Sequence, residues 1–260
     1  MERPLKVLMI GDIVGKLGRR TVASLLPEIR RSHNVDLVIA NGENAAGGRG
    51  LTSATADEMY QAGIDVITSG NHIWEHREIY RILDSEAPIL RPMNYPEGAP
   101  GRGILTRDGV AIVNLIGRTF MPGHPDCPFR AADEALACLH DYRVIIVDMH
   151  AEATSEKIGM AYYLDGRVSA VLGTHTHVPT SDTRVLPKGT AYVSDVGMVG
   201  ALDSILGMEI EPIVQRFLSQ LPARFAPVER GPAVFNAVLF QIDPDSGRAL
   251  SIQRLDREVA

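Results

Sequence analysis

Short apolar runs alternate with amphipathic stretches through the first part of the chain. Residues 5–10, 36–40 and 65–68 are compact and rich in Val, Ile and Leu, the pattern of buried strands. Each is followed by apolar positions at helical spacing. Val22, Leu25, Leu26 and Ile29 form one stripe within an expected helix over 18–31, and further helices are expected over 53–62 and 75–84. Successive βα units of this kind lay their strands parallel, so the strand ends share one edge of a sheet.

The pattern then changes. Residues 89–100 are rich in proline, and strands over 103–107 and 110–116 flank Asp108-Gly109, a hairpin signal. An irregular segment, 117–129, holds Arg118, His124 and several prolines; loops of this length are usually functional, and Arg118 is a candidate cover for a substrate. Beyond it the pattern predicts a helix over 131–140, a strand over 144–147, a helix over 152–161 and a strand over 167–172. Short strands at 183–186 and 191–193, a helix at 209–219 and an antiparallel hairpin of 233–242 with 249–255 close the chain. With no repeat or linker, the expectation is one domain over 1–260, an α/β two-sheet sandwich flanked by helices.

Composition narrows the function classes. Hydrophobic residues make up 45% and charged residues 22%, and the net charge is −6 with no clustered basic face. Binding of long nucleic acid through its phosphates is therefore not expected. No run reaches the length of a membrane span, and the first apolar run meets Asp12 too early for a signal-peptide core. A soluble, cytoplasmic protein is expected. Cys127 and Cys138 fit neither a CxxC motif nor a disulfide framework and read as free thiols. Exposed apolar strands and the closing hairpin leave room for a homo-oligomer without specifying its symmetry.

Candidate chemistry gathers at the strand ends. They carry Asp12, then Glu43 and Asn44, then Asn71 and His72, then His150, and finally His175 and His177 within GTHTH. If 173–177 is extended, the last two imidazoles face one way. The glycines at 11, 15 and 18 do not make GxGxxG, and Lys16 lacks the Walker spacing, so a dinucleotide site is not indicated. Singly, each strand-end residue reads as a cap, a turn residue or a satisfied histidine. Together they offer more oxygen and nitrogen donors than one ion takes, which suggests two ions about 3.5 to 4 Å apart. Carboxylate plus imidazole suits Mn, Fe, Zn, Co or Ni.

The order Asp12, Glu43, Gly70-Asn71-His72, His150 and GTHTH at 173–177 resembles the calcineurin-like metallophosphoesterases. The strings NGEN, SGNHIW, DMHAEATSEK and GTHTHVPT are similar to a bacterial, YmdB-like branch of 2′,3′-cyclic-nucleotide 2′-phosphodiesterases. Two departures from the wider superfamily stand out: Asp12-Ile13-Val14 replaces its DxH motif, and Glu43 replaces its bridging aspartate. The resemblance implies a four-layer α/β/β/α fold. It assigns one ion to Asp12, Glu43, Asn44 and His177 and the other to Glu43, Asn71, His150 and His175, with Fe or Mn expected and Zn an alternative. His72 is then left as the catalytic acid. The expected activity is hydrolysis of a small cyclic nucleotide, 2′,3′-cyclic to 3′-phosphate, by metal-bound hydroxide. The donor set also admits a hydrolase of another bond, such as a phosphomonoester or an amide, or a metal- and nucleotide-binding regulator without turnover.

Overall fold

The computed structural model describes residues 3–260; residues 1 and 2, the start of the expected domain, lie outside the described residues. The elements, in order, are β1 (Leu5–Ile10), β2 (Asp12–Ile13), α1 (Gly15–His33), β3 (Leu37–Asn41), α2 (Ser53–Gln61), β4 (Val66–Thr68) and α3 (Ile79–Leu83). Next come β5 (Ile104–Arg107), β6 (Val110–Ile116), α4 (Pro128–Cys138), β7 (Val144–His150), α5 (Thr154–Leu164) and β8 (Ala170–Thr174). The chain closes with β9 (Arg184–Val185), β10 (Ala191–Val193), β11 (Met198–Ala201), α6 (Ile210–Ser219), β12 (Ala233–Phe235), β13 (Ala237–Ile242), β14 (Ala249–Arg254) and β15 (Arg257–Val259).

Two large sheets carry the fold. The first has the order β14-β13-β1-β3-β4, with β1, β3 and β4 parallel. The second has the order β5-β6-β7-β8-β10-β9, parallel from β6 through β10 with antiparallel edges. Alternation along each strand separates two apolar faces. Val7, Met9 and Ile39 of the first sheet meet Ile112, Ile146 and Leu172 of the second in a shared core. The opposite residues, Leu8, Ile10 and Val38, pack under Val22, Leu26 and Ile29 of α1, while Val113, Val147 and Val171 pack under α4 and α5. The result is the four-layer α/β/β/α sandwich that the sequence led one to expect. No described helix is long and apolar enough to cross a membrane.

A third sheet, β15-β12-β11-β2, was not expected. Its strands are two to four residues long, too short to display a period. It forms because the expected strand over 233–242 breaks at Asn236. The Asn236 backbone exchanges bonds with Met198 and Gly11, and its side chain accepts from the Met198 N–H at 3.2 Å and donates to Asp256 at 3.1 Å. The chain thereby leaves one sheet for another. The hairpin at 108–109 forms as expected, with positive φ at both Asp108 (49°) and Gly109 (80°). The helix expected over 75–84 is shorter, because the stretch from Asn71 to Glu78 forms turns instead.

Gly11 sets how β1 passes into β2. A Cβ there would overlap the Gly197 carbonyl oxygen, which accepts the Asp12 N–H at 2.9 Å. Gly11→Ala is expected to destabilise the fold by about 1–3 kcal/mol through overpacking. A thermal melt checks this, and an unchanged Tm would contradict it.

Candidate metal centre

Parallel strands from both large sheets end at this centre, and so do the chemistry-bearing residues. Glu43, just past β3, is 1% exposed, and His150, the last residue of β7, is 0% exposed. The Glu43 Oε1 lies 3.1 Å from His150 Nε2 and accepts from Asn44 Nδ2 at 3.2 Å; its Oε2 accepts the His72 backbone N–H at 3.0 Å. Around His150 Nε2 stand Asn71 Oδ1 at 3.3 Å and His175 Nδ1 at 3.1 Å. Donor atoms of Glu43, His150 and His175 all fall within 4.8 Å of one another.

A second group adjoins the first. Asn44 Nδ2 lies 3.1 Å from His177 Nε2, and Asp12 Oδ1 lies 3.7 Å from the same nitrogen. The other oxygen of Asp12 accepts the His175 backbone N–H at 3.0 Å. Thus the seven expected ligands, Asp12, Glu43, Asn44, Asn71, His150, His175 and His177, converge. His72 lies at the edge of the group, with Nδ1 3.2 Å from Glu75 Oε1.

Neighbouring hydrogen bonds fix which ring nitrogens face inward. Thr174 Oγ1 donates to Asp148 at 2.7 Å, so its lone pairs meet His150 Nδ1 at 2.9 Å and make that nitrogen the proton carrier. His177 Nδ1 likewise donates to the Leu206 carbonyl at 3.0 Å. The His150 Nε2 lone pair is then left facing the Glu43 carboxylate, an arrangement that needs a cation or a proton between them, while His177 Nε2 faces the Asn44 amide, with Asp12 Oδ1 farther off.

The electrostatics state the same demand. Burial opposes ionisation of Glu43, but the neighbouring His150 outweighs it and draws the carboxyl down to about 2. Burial likewise opposes charge on His150, yet Glu43, with Asp12 and Asp148, pushes it up to about 9. Asp12 is raised to about 6 by burial, against the pull of His177 and His150. Its Oδ1 is buried without a hydrogen-bond partner. Gly70 completes the cradle, since a Cβ there would overlap His150 Nε2 and lie 2.5 Å from Glu43 Oε2. An orphaned buried oxygen, the inward His150 lone pair and a cradle closed by a residue with no room for a Cβ fit divalent metal.

The histidine pair corrects one expectation. The strand ends at Thr174, and His175 (φ 102°) and His177 (φ 65°) lie in the left-handed region rather than in extended backbone. Such residues cost on the order of 1–3 kcal/mol each and persist where their surroundings hold them. Here Asp195 Oδ2 accepts both the backbone N–H (3.0 Å) and the hydroxyl (2.8 Å) of Thr176, and Lys157 donates to the same oxygen at 2.7 Å. The two rings part: His175 turns to His150 and to Glu152, at 3.2 Å, and His177 turns to Asp12 and Asn44. Asp195 and Lys157 were missed by sequence reasoning. The segment YVSD at 192–195 carried the same signal as MIGD at 9–12, a carboxylate just past an apolar run.

The centre opens into a cleft of 360 Å³ lined by Glu43, Asn44, His72, His175 and His177 and by apolar residues. Arg118 does not line this cleft. It borders a separate cavity of 780 Å³ with Tyr95, Cys127 and Arg130, and its backbone N–H is held by Glu156.

The model of the YmdB-like protein family matches residues 8–255. The chain belongs to this family. A 2′,3′-cyclic-nucleotide 2′-phosphodiesterase of Bacillus subtilis is 46% identical over 256 residues, covering 96% of each chain. Two solved structures superpose closely on this YmdB-like protein. A hypothetical protein from Thermus thermophilus is 46% identical, with TM-score 0.91 over 98% of this chain and 100% of the other. A novel phosphatase from Mycoplasma pneumoniae is 31% identical, with TM-score 0.93 over 99% and 95%. The metallophosphoesterase type implies divalent metal ions, and the Glu43, His150 and His175 donors form a possible site for one.

Thr174→Val removes the acceptor for His150 Nδ1–H. Metal affinity is expected to fall about 10–100-fold, as when hydrogen-bonded supports of a ligating histidine are lost. Competition with a chromophoric chelator measures this, and unchanged affinity would show that Thr174 does not orient the ring.

Proposed function

We propose that this chain is a dinuclear metal-dependent phosphodiesterase that opens small 2′,3′-cyclic nucleotides at the 2′ oxygen, leaving the 3′-phosphate. The observation that carries the reading is the buried carboxylate of Glu43 between two donor groups. Its Oε1 touches Asn44 on one side and His150 on the other. On this reading Asp12, Glu43, Asn44 and His177 hold one ion, and Glu43, Asn71, His150 and His175 hold the second. Iron or manganese is the expected metal, with zinc an alternative. The similarity to the B. subtilis 2′,3′-cyclic-nucleotide 2′-phosphodiesterase supports the substrate class.

Two bound divalent ions supply Lewis acidity toward the phosphoryl oxygens and activate water near neutral pH. The chain's own residues supply the rest. Glu43 and Asp12 offset the ions' charge in a place closed to solvent on the protein side. Asn71 brings His72 to the edge of the cleft, and the Glu75 carboxylate, 3.2 Å from Nδ1, holds that ring so that Nε2 can face the departing oxygen. The proton at Nε2 passes to the 2′ oxygen as its bond to phosphorus breaks, which relieves an otherwise poor leaving group. A soluble cytoplasmic enzyme acting on a small ligand, singly or as a homo-oligomer, fits this chemistry.

Metal-loaded protein assayed on 2′,3′-cyclic AMP, a phosphomonoester and an amide decides among the hydrolase readings. Release of 3′-AMP that stops with chelator and returns with Mn or Fe is the expected result; faster release of phosphate from the monoester would reassign the reaction. Glu43→Gln is expected to abolish turnover by removing the shared charge. His72→Ala is expected to keep its metal and lose about 10²- to 10⁴-fold in kcat. A His72→Ala protein as fast as the parent would remove that residue from the reaction.

A further inference from the structure

Besides the expected ligands, the cleft is lined by apolar residues that include Leu206, Met208, Ile213, Phe217 and Phe225. Beside it lies a second hollow of 330 Å³, and Arg49, Met208 and Phe225 line both, so the two adjoin. Three arginines, Arg49, Arg216 and Arg224, border the second hollow. Some arginines of this protein are paired, as Arg19 is with Glu58 and Arg30 with Asp65. Among the described residues, none of the three makes an ion pair. In a chain of net charge −6, three uncompensated guanidinium groups in one small hollow mark a place suited to an anion.

Local structure prepares them. Gly47 (φ 61°) and Gly48 (φ 88°) turn the chain after Glu43 and Asn44, so that Arg49 reaches the junction of the two hollows. A Cβ on Gly48 would meet Met208 Cε at 2.9 Å, so this turn is packed against the apolar wall. The Arg216 guanidinium sits over the Phe225 ring, 5.3 Å from its centre, a cation–π placement.

We propose that Arg49, Arg216 and Arg224 form a second anion subsite for a phosphoryl group on O5′ of the ribonucleoside 2′,3′-cyclic phosphate. This rests on the phosphodiesterase reading above. With the cyclic phosphate at the metal centre, the aromatic wall is placed to take the base by stacking. The O5′ side of the ribose, opposite the cyclic phosphate, is then directed along the cleft to the arginines. Guanidinium groups suit a phosphate through paired charge-assisted hydrogen bonds. The O5′ phosphate has two sources, a free 5′-monophosphate or the linkage to a preceding nucleotide. Three arginines hold one such group rather than a long backbone, in keeping with the absence of an extended basic face.

The test is a comparison of kcat/KM for three substrates with metal-loaded enzyme: adenosine 2′,3′-cyclic phosphate, its 5′-phosphorylated form, and a diadenosine ending in a 2′,3′-cyclic phosphate. A preference of about tenfold or more for the O5′-phosphorylated forms is expected, the scale of one charge-assisted hydrogen bond. It should shrink with added salt and fall toward one in Arg224→Gln and in Arg49→Gln. Preference for both forms assigns an RNA end, and preference for the 5′-monophosphate alone assigns a mononucleotide. Equal kcat/KM for all three, or a preference that survives both substitutions, overturns the subsite. No hydrolysis of any of the three overturns the phosphodiesterase reading instead.

Discussion

Glu43 against His150 is the contact on which the centre depends. A carboxylate and an imidazole meet at 3.1 Å with almost no exposure, and Asp12 stands close by with an oxygen that no group satisfies. Removing ions from water costs several kcal/mol each, even after relaxation. Such a cluster is tolerable only where cations or shared protons balance it. Each large sheet provides one partner, β3 leading to Glu43 and β7 ending in His150, so the sandwich itself brings the two charges together.

Close backbone approach makes that meeting geometrically possible. Gly70 lets Glu43 and His150 pack against its bare backbone, where a Cβ would overlap His150 Nε2, and Gly173 lets β8 come so near Ser194 that a Cβ would overlap its carbonyl oxygen. Past Ser194, Asp195 takes Lys157 on one side and Thr176 on the other in a buried ion pair. That anchor lies under the two histidines with left-handed backbone. It converts the end of β8 from a strand into a loop whose rings serve different neighbours, which an extended strand with its alternating side chains does not allow.

The parts of the fold with a clear period were legible. β1, α1 and the hairpin from β5 to β6 follow their apolar spacing and turn residues closely. The third sheet was hidden because its strands are too short to show a rhythm, and because Asn236 interrupts an otherwise continuous β run. α3 lost its first turns because Glu75, Ile79 and Tyr80 each bond the carbonyl three residues back, so the stretch before Ile79 forms tight turns rather than α-helix. The ligand positions were legible as polar residues after apolar runs, though their division into two groups came from resemblance. Lys157 was not: on a helix it reads as a surface residue, and its burial follows only from Asp195 on a distant strand. His175 and His177 turn to different neighbours, and the extended backbone first assumed for them does not hold.

The proposed function requires Glu43 to be shared by two ion sites, and metal counting on single-histidine variants tests this most directly. Manganese per chain, measured by elemental analysis after loading and removal of free metal, should be about two in the parent protein. It should fall to about one in His175→Ala and, separately, to about one in His177→Ala. One ion in the parent, or loss of both ions from either variant, would contradict a divided centre.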